Sequence, residues 1–269
     1  MKNLILFLVC TFLFSADDKA PSQRTRDRDV DIHHIKIDIT VDLEKKSVSG
    51  NVTHTLSALN SSLSEFELDA EDMEIHRVRL NGKDISYNHH GEKVFLSLNK
   101  SIGWDDTVKV RLDYTAYPRI GTFFIEPDSV YPEKPWQAWT QGEDTDNHHW
   151  VPIYDYPNDK ATFETILTVD KKFKAISNGE LISLKDNKDG THTWHWHEHF
   201  PMVSYLISYV IGEFEKVEDS YNGIPVNYWV YDENKKEALR SFGVTPDMMK
   251  YFGEETGIEY PYEKYDQII

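Results

Sequence analysis

Hydrophobic and polar residues alternate along much of the chain with the period of a β-strand. Within residues 33–42, the branched residues Ile35, Ile37, Ile39 and Val41 occupy every second position, and polar residues fill most of the others. Successive side chains of a strand point to opposite faces, so this pattern predicts a half-buried strand. Similar runs bounded by turn signals predict further strands at residues 66–70, 75–80, 94–98, 108–114, 162–169, 181–184, 191–200, 205–214 and 226–231. No sustained helical period precedes residue 233, so we predict a mainly β protein, with a saddle-like β-sandwich as its amino-terminal domain.

The pattern changes near residue 233. Residues 233–242 have helical character, and a second helix is predicted with Thr245 as its N-cap, Pro246 at its first position and Gly257 closing it. An apolar run that ends on Ile269 then reads as a strand. We therefore expect a β-rich domain over residues 31–232 and the beginning of an incomplete α/β domain over residues 233–269.

The amino terminus resembles a targeting segment. Residues 1–16 combine a lysine, an apolar run and small residues, which predicts a secretory signal peptide, and a charged linker follows over residues 17–30. The protein is thus expected to be secreted or periplasmic, with no membrane span in the mature chain. Because the single cysteine, Cys10, lies inside this signal, the mature chain is expected to have no disulfide and no thiolate metal site.

The chain is strongly acidic, with a formal net charge of -17 at pH 7. Such a field repels nucleic acid and anionic membranes, so neither is an expected partner. Cationic ligands remain compatible with this charge.

Histidines suggest two candidate metal sites. On a strand, His195, His197 and His199 (the histidine row) share one face, and alternating histidines can chelate zinc or copper. The competing interpretation is an amphipathic strand whose opposite face, with Trp194, Trp196 and Phe200, turns to the core. Because no further ligand at a fixed spacing accompanies the row, the sequence favours this second interpretation.

The adjacent pair His148 and His149 is expected to point to opposite sides of an extended segment, and thus not to share one metal. No H-E-x-x-H, no G-x-S-x-G and no glycine-rich phosphate loop occurs in the chain. The residues alone therefore indicate a β-rich globular protein without a recognisable catalytic motif.

A series of motifs nevertheless resembles the amino-terminal part of the aminopeptidase N family of zinc metallopeptidases. The motifs are T-Q-G-E at residues 140–143, V-P and D-Y-P-N-D-K-A-T-F within residues 151–163, S-N-G at residues 177–179, P-M-V-S-Y-L and V-I-G-E-F within residues 201–214, and Y-P-Y-E-K-Y-D-Q at residues 260–267. Their order and spacing agree with the family from about residue 30 onwards. The chain departs from the family pattern at His148, often an arginine, at Val151, often an aromatic residue, and at Ile153, often a cysteine.

The resemblance implies a saddle-like β domain followed by a thermolysin-like catalytic domain. The family's G-x-M-E-N loop, zinc-binding H-E-x-x-H helix, third zinc ligand and catalytic tyrosine would all lie beyond residue 269. It therefore implies one zinc ion in the full-length protein, and neither zinc nor catalytic activity in this chain alone. The implied partners are peptides with a free N-terminus and the protein's own catalytic domain.

The resemblance also implies two substrate-binding residues. Glu143 matches the glutamate that binds the α-ammonium of the substrate, and Gln141 matches a residue that helps to line the first specificity pocket. A partly desolvated carboxylate pairs well with an ammonium group, and a capped peptide would leave it unpaired.

Two alternatives remain open at this stage. One is a non-catalytic β-rich module that binds peptides or proteins. The other is a zinc or copper binder that uses the histidine row. An open reading frame beyond codon 269 would favour a peptidase over the binding module. Metal titration would test the metal binder.

Overall fold

The computed structural model describes residues 25–269, so the predicted signal peptide and most of the predicted linker lie outside the described residues. The strands of the described part are Val30–Asp42 (β1), Ser47–Ala58 (β2), Leu63–Asp69 (β3), Met73–Leu80 (β4), Lys83–Asp84 (β5), Ser86–His90 (β6), Lys93–Ile102 (β7), Val108–Ala116 (β8), Thr122–Ile125 (β9), Gln137–Thr140 (β10), Ala161–Asp170 (β11), Lys174–Ser177 (β12), Glu180–Asp186 (β13), Thr191–Met202 (β14), Tyr209–Gly212 (β15), Glu215–Tyr221 (β16), Ile224–Val230 (β17) and Tyr265–Ile268 (β18). The α-helices are Ala238–Phe242 (α1) and Thr245–Thr256 (α2), and 3-10 turns lie at Asn147–His149, Ser204–Leu206 and Asp232–Asn234.

The largest sheet has eight strands in the order β13-β14-β11-β1-β2-β8-β4-β5. Strand β1 lies between β2, which runs antiparallel to it, and β11, which runs parallel with Ile35 opposite Phe163. The predicted alternation is confirmed, because Ile35, Ile37, Ile39 and Val41 are all buried. Each such side chain stabilises the fold by about 1.5–3 kcal/mol relative to its exposure to water.

Two smaller sheets complete a β-sandwich. One has the order β12-β15-β10-β9 and the other the order β3-β7-β6. Their buried residues join those of the large sheet in one hydrophobic core, in which Trp150 and Tyr209 are fully buried and pack edge to face. The predicted mainly β sandwich is therefore confirmed.

A further sheet and a second hydrophobic cluster follow along the chain. Strand β17 pairs antiparallel with β16 and parallel with β18. The second cluster contains Tyr228 and Val230 of β17, Ala238 of α1 and Met249 of α2. This unit thus combines segments from both sides of residue 232, the predicted domain boundary, and the boundary stays a prediction.

The helices are confirmed in kind but differ in detail. The first is shorter than predicted, because residues 232–234 form a 3-10 turn and α1 begins only at Ala238. The cap position of α2 is Val244 rather than Thr245, whose hydroxyl donates to the Phe242 carbonyl instead. Gly257 ends the helix in the left-handed conformation, as predicted. None of the helices formed by residues 25–269 has the length and apolarity needed to cross a bilayer.

The strand predicted at residues 205–214 is also shorter in the structure. Residues Ser204–Leu206 form a 3-10 turn, and only Tyr209–Gly212 pair as β15. The carbonyls of Ser204 and Ile207 instead accept hydrogen bonds from the side chain of Asn147. A long-range contact therefore replaces the strand at this point.

Candidate functional site

Both predicted substrate-binding residues lie at the start of the segment that joins β10 to β11, residues 141–160, which we call the β10–β11 loop. Strand β10 pairs with β9 on one side and β15 on the other, so the loop begins from a strand fixed on both edges. The Thr140 hydroxyl accepts a hydrogen bond from the Tyr209 amide at 3.0 Å, and the Gln141 amide donates to the Gly121 carbonyl at 3.0 Å. The end of β10 and the first residue of the loop are thus held by hydrogen bonds to the backbone of neighbouring segments.

A buried asparagine organises the turn that follows. The Asn147 side-chain amide donates to the carbonyls of Ser204 and Ile207, at 2.7 and 3.0 Å, and its oxygen accepts from the Trp150 indole at 2.8 Å. Gly142 lies against this asparagine so closely that an added Cβ would meet Asn147 Oδ1 and the Tyr205 carbonyl at 2.6 Å. Only a glycine fits this position without a shift of its neighbours.

Gln141 and Glu143 flank Gly142, and both are exposed. Within residues 25–269 the Glu143 carboxylate forms neither a hydrogen bond nor an ion pair with another side chain. A rigid turn therefore presents an unpaired carboxylate to solvent, which suits it to bind a cation from outside the described part of the chain.

The next part of the loop corrects the expectation about His148 and His149. The two residues lie in the 3-10 turn Asn147–His149 and not in an extended segment, and their ring centroids are 4.5 Å apart. The prediction that they point to opposite sides was wrong, because successive residues of a 3-10 turn are rotated by only about 120°. The histidines therefore face the same group of acidic side chains.

Each of the two imidazoles is held by its own carboxylate. His148 Nδ1 lies 3.1 Å from Asp155 Oδ2, and His149 Nδ1 lies 2.9 Å from Asp72 Oδ2. Both Nε2 atoms then face a third carboxylate, with Glu71 Oε2 at 3.8 Å from His148 and 3.7 Å from His149. Within residues 25–269, Glu71, His148 and His149 form the one group of three candidate metal ligands whose donor atoms all lie within 4.8 Å of one another.

An arginine balances part of this negative charge. Arg119 lies 2.6 Å from Asp72 and 2.9 Å from Glu71 through its Nε and Nη2 atoms. Burial would raise the pKa of the Asp72 carboxyl, but hydrogen bonds from Arg119 and His149 outweigh it and hold that pKa below its ordinary value. Asp72 is therefore ionised at neutral pH.

The environment of His148 raises its pKa, whereas that of Asp72 lowers the pKa of the carboxyl. Burial favours the neutral imidazole, but the hydrogen bond to Asp155 and the charge of that carboxylate outweigh it and raise the pKa of His148. Asp155 itself also accepts from the Ser204 hydroxyl at 2.8 Å and from the His148 amide at 3.0 Å. It ties the loop to the turn that precedes β15.

A fully buried histidine supports the loop from the core. His54 of β2 donates from Nε2 to the Pro152 carbonyl at 2.9 Å. Burial lowers the pKa of His54 to about 4, more than the contact to Pro152 raises it. The imidazole is therefore neutral in the folded protein at neutral pH.

The histidine row has a different environment. Trp194 and Trp196 of β14 are buried in the core, and the row lies on the opposite face, as the favoured interpretation predicted. His195 Nε2 contacts Glu164 Oε2 at 2.6 Å, and His34 and Lys36 contact the same carboxylate at 3.1 and 3.0 Å. Phe200, predicted on the tryptophan face, is exposed and packs edge to face on Tyr262.

The contacts from Lys36 and the two histidines perturb the Glu164 carboxyl strongly. Burial would raise the pKa of its carboxyl, but the contacts from Lys36, His34 and His195 lower it to about 2. His195 of the row thus belongs to a cluster of basic groups that surrounds one carboxylate.

Sequence reasoning missed several residues of the site. Asn147, Asp155, Glu71 and Asp72 carry the loop geometry but were not proposed for a role. Asp155 belongs to the quoted D-Y-P motif, which was a usable signal. Glu71 and Asp72 lie in the turn between β3 and β4, far from the loop in sequence, and no local pattern marks them.

Comparison with known proteins agrees with this architecture. Residues 31–206 match the family described as the Peptidase M1 N-terminal domain. Aminopeptidase 2 of Candida albicans is 22% identical over 270 residues, which cover 95% of this chain and 29% of that protein. Leukotriene A-4 hydrolase of Xenopus laevis is 24% identical over 262 residues, which cover 93% of this chain and 42% of that protein.

A solved structure shows the same fold. The crystal structure of an M1 zinc metallopeptidase from Deinococcus radiodurans superposes with a TM-score of 0.77 at 20% sequence identity, and the match covers 90% of this chain and 56% of that chain. The chain therefore spans less than half the length of the two curated relatives and little more than half of the solved chain. Because the family match covers more than half of this sequence, the chain belongs to the M1 peptidase family and carries its N-terminal domain.

Proposed function

We propose that this chain is the N-terminal part of a zinc-dependent aminopeptidase that releases N-terminal residues from peptides. Membership in the M1 family and the aminopeptidases among its relatives support this proposal. The part that the chain contributes is recognition of the free amino group of the substrate. Export through the predicted signal at residues 1–16, to the periplasm or the outside of the cell, belongs to the same proposal.

The observation that carries the proposal is the presentation of Glu143. The turn around Gly142 and Asn147 is fixed by buried hydrogen bonds, while the Glu143 carboxylate is exposed and, within the described residues, unpaired. A substrate ammonium would form a charge-assisted hydrogen bond with it. Gln141, on the other side of Gly142, is proposed to line the pocket for the first side chain of the substrate.

The zinc chemistry of the family does not fit the residues of this chain. The sequence has no H-E-x-x-H motif, and the one group of candidate donors in residues 25–269 comes from a 3-10 turn and a strand connection. We therefore assign no step of hydrolysis to these residues. Zinc, when bound by the rest of the protein, would polarise the scissile carbonyl and activate water.

A catalytic domain needs a surface on which to pack, and the end of the chain offers one. Leu239 of α1 and Met248, Tyr251 and Phe252 of α2 are all about half exposed or more. Met248, Tyr251 and Phe252 share one face of α2 through their i, i+3 and i+4 spacing, and an exposed apolar face of this kind is typical of a surface that another part of the protein covers. We propose that the remainder of the catalytic domain covers it.

The first test concerns the complete protein. We expect the reading frame to continue past codon 269 and to encode H-E-x-x-H, and the purified 269-residue chain to release no residue from unblocked peptides. A stop codon at position 270 would overturn the proposed peptidase and favour a binding module.

The second test concerns Glu143 in the longer protein. Glu143→Ala should lower kcat/KM for unblocked peptides about 10–100-fold, because a hydrogen bond to a charged group contributes about 1.5–3 kcal/mol. Asp144→Ala removes the neighbouring exposed carboxylate and should leave kcat/KM unchanged. Equal effects of the two substitutions would contradict a specific role for Glu143 and leave the peptidase assignment intact.

A further inference from the structure

We propose that Glu71, His148 and His149 bind a divalent transition-metal ion of the zinc type. This inference is independent of the proposed peptidase function. It also revises the expectation from the sequence, which assigned no metal ligand to this chain.

The first argument is the proton arrangement of the two imidazoles. Asp155 and Asp72 can only accept hydrogen bonds, so the Nδ1 atoms of His148 and His149 carry the protons that point to them. In each neutral ring, Nε2 then holds the free lone pair. Histidines that ligate a metal are held in this way, with the second ring nitrogen donating to a carboxylate or carbonyl.

The second argument is the spacing of the free atoms. The distances from Glu71 Oε2 to the two Nε2 atoms, 3.7 and 3.8 Å, are too long for hydrogen bonds. Two ligands of a tetrahedral zinc ion lie about 3.3 Å apart, given bonds of about 2.0–2.1 Å. A contraction of a few tenths of an ångström would therefore bring Glu71 Oε2 and either Nε2 atom to the spacing of two ligands of one ion. One donor atom from each of the three residues already lies within 4.8 Å of the other two.

The third argument is charge. Glu71, Asp72 and Asp155 supply three carboxylates, and Arg119 is the cation that pairs with two of them. With neutral histidines, this group keeps an excess of two negative charges in a half-buried site, which a divalent cation would neutralise. Two imidazoles and one carboxylate favour zinc and its transition-metal neighbours over calcium and magnesium, which prefer oxygen ligands.

The bound ion would connect two parts of the fold. Glu71 follows β3, and the histidines belong to the β10–β11 loop that carries Gln141 and Glu143. The metal would fix the loop against the turn between β3 and β4. Its role would be to stabilise the loop.

The experiment uses the 269-residue chain without a histidine tag, freed of metal with a chelator, at mildly alkaline pH where protons do not compete. Zinc is titrated against a chromophoric chelator, and cobalt is followed by its visible absorption. We expect one equivalent to bind, with an absorption spectrum that reports nitrogen and oxygen ligands. Absence of stoichiometric binding would overturn the proposal.

Variants locate the site. His148→Ala and His149→Ala should each weaken zinc binding at least about 100-fold, and Asp72→Asn, which changes only the partner of a ligand, about 10–100-fold. His195→Ala removes a histidine of the row and serves as the matched control, with unchanged affinity. Loss of binding in His195→Ala together with retention in His148→Ala and His149→Ala would overturn the proposal in favour of the row.

A measurement on the unmodified chain covers the case in which a variant fails to fold. In protein labelled with 15N-histidine, zinc should shift the Nε2 resonances of two histidines, and both should have protonated Nδ1 atoms before the metal is added. Shifts of histidines that are protonated at Nε2 in the free protein would contradict the assigned ligands.

Discussion

Strand β14 and the β10–β11 loop both place histidines next to carboxylates, yet the two regions combine them in opposite ways. Next to β14, the carboxylate of Glu164 on β11 is surrounded by His195 of β14 and by His34 and Lys36 of β1, so both of its oxygens are occupied. In the loop, the two histidines are surrounded by carboxylates, and each Nδ1 has a separate partner. The number of histidines is therefore a poor indicator of a metal site, whereas the partner of each ring nitrogen is informative.

The backbone explains part of this difference. A strand keeps alternate side chains on one face, so the row spreads along β14 and ends at the exposed His199. A 3-10 turn brings adjacent residues into one neighbourhood, and the loop then adds side chains from distant segments. The positions of the loop histidines therefore depend on more buried hydrogen bonds than the positions of the histidines on β14.

The largest expected difference between the regions concerns their central carboxylates. Asp155→Ala should lower the free energy of unfolding by about 3–5 kcal/mol, because it removes a buried acceptor of His148 and Ser204 and leaves their donors without a partner. Glu164→Ala, in the more solvated cluster, should cost about 1 kcal/mol. Urea unfolding of both variants measures the two losses of unfolding free energy. Equal losses would contradict the expected difference between the two regions.

The two regions should also lose stability in different pH windows. His54, which supports the loop, has its pKa lowered to about 4. Between about pH 6.5 and 4, the imidazole is therefore protonated in the unfolded chain and neutral in the folded chain. Stability from this group is complete above pH 6.5 and falls by about 3 kcal/mol as the pH drops through 4. Glu164, with its pKa lowered to about 2, stabilises the fold above pH 4.5 and loses that contribution as the pH falls towards 2.

Unfolding free energies between pH 7 and 3 check this prediction. In His54→Gln the decline between pH 6.5 and 4 should flatten, whereas in Glu164→Gln it should persist. An unchanged decline in His54→Gln would show that His54 is already charged in the folded protein.

A smaller difference is expected between two glycines. Gly142→Ala should destabilise the loop by about 2–3 kcal/mol, because its Cβ would lie 2.6 Å from Asn147 and the Tyr205 carbonyl. Gly190→Ala, in the turn before β14, meets no atom within 4 Å and should cost about 1 kcal/mol for its positive φ. Thermal unfolding of the two variants measures the difference in stability. A Gly142 variant as stable as the Gly190 variant would show that the loop accommodates the added Cβ at little cost.

The same contrast marks how far the sequence could predict the structure. Strand β1 was predictable, because its four buried branched residues repeat every second position and the period itself carries the information. The amphipathic nature of β14 was predictable for the same reason. Glu143 and Gln141 were found through a motif that resembles a family, and their roles stay predictions.

The loop was not predictable in its detail. Asn147 bonds with a carbonyl 57 residues away, and His149 contacts a carboxylate 77 residues away. Such contacts leave no periodic trace in the local sequence. For the same reason the strand predicted at residues 205–214 was too long. Ile207, near its start, accepts a hydrogen bond from Asn147, and Ser204, just before it, accepts from Asn147 and donates to Asp155.

The parallel pairing of β1 with β11 has a consequence for the order in which the protein is made. Lys36 and its partner Glu164 are 128 residues apart, so at about 5–20 residues per second a ribosome needs roughly 6–26 s to deliver the second strand after the first. During this interval β1 can form its hairpin with β2, but its other edge stays open. The first strand of the described residues is thus completed late. Its open edge carries unpaired backbone groups next to four branched apolar residues and is exposed to aggregation during this interval.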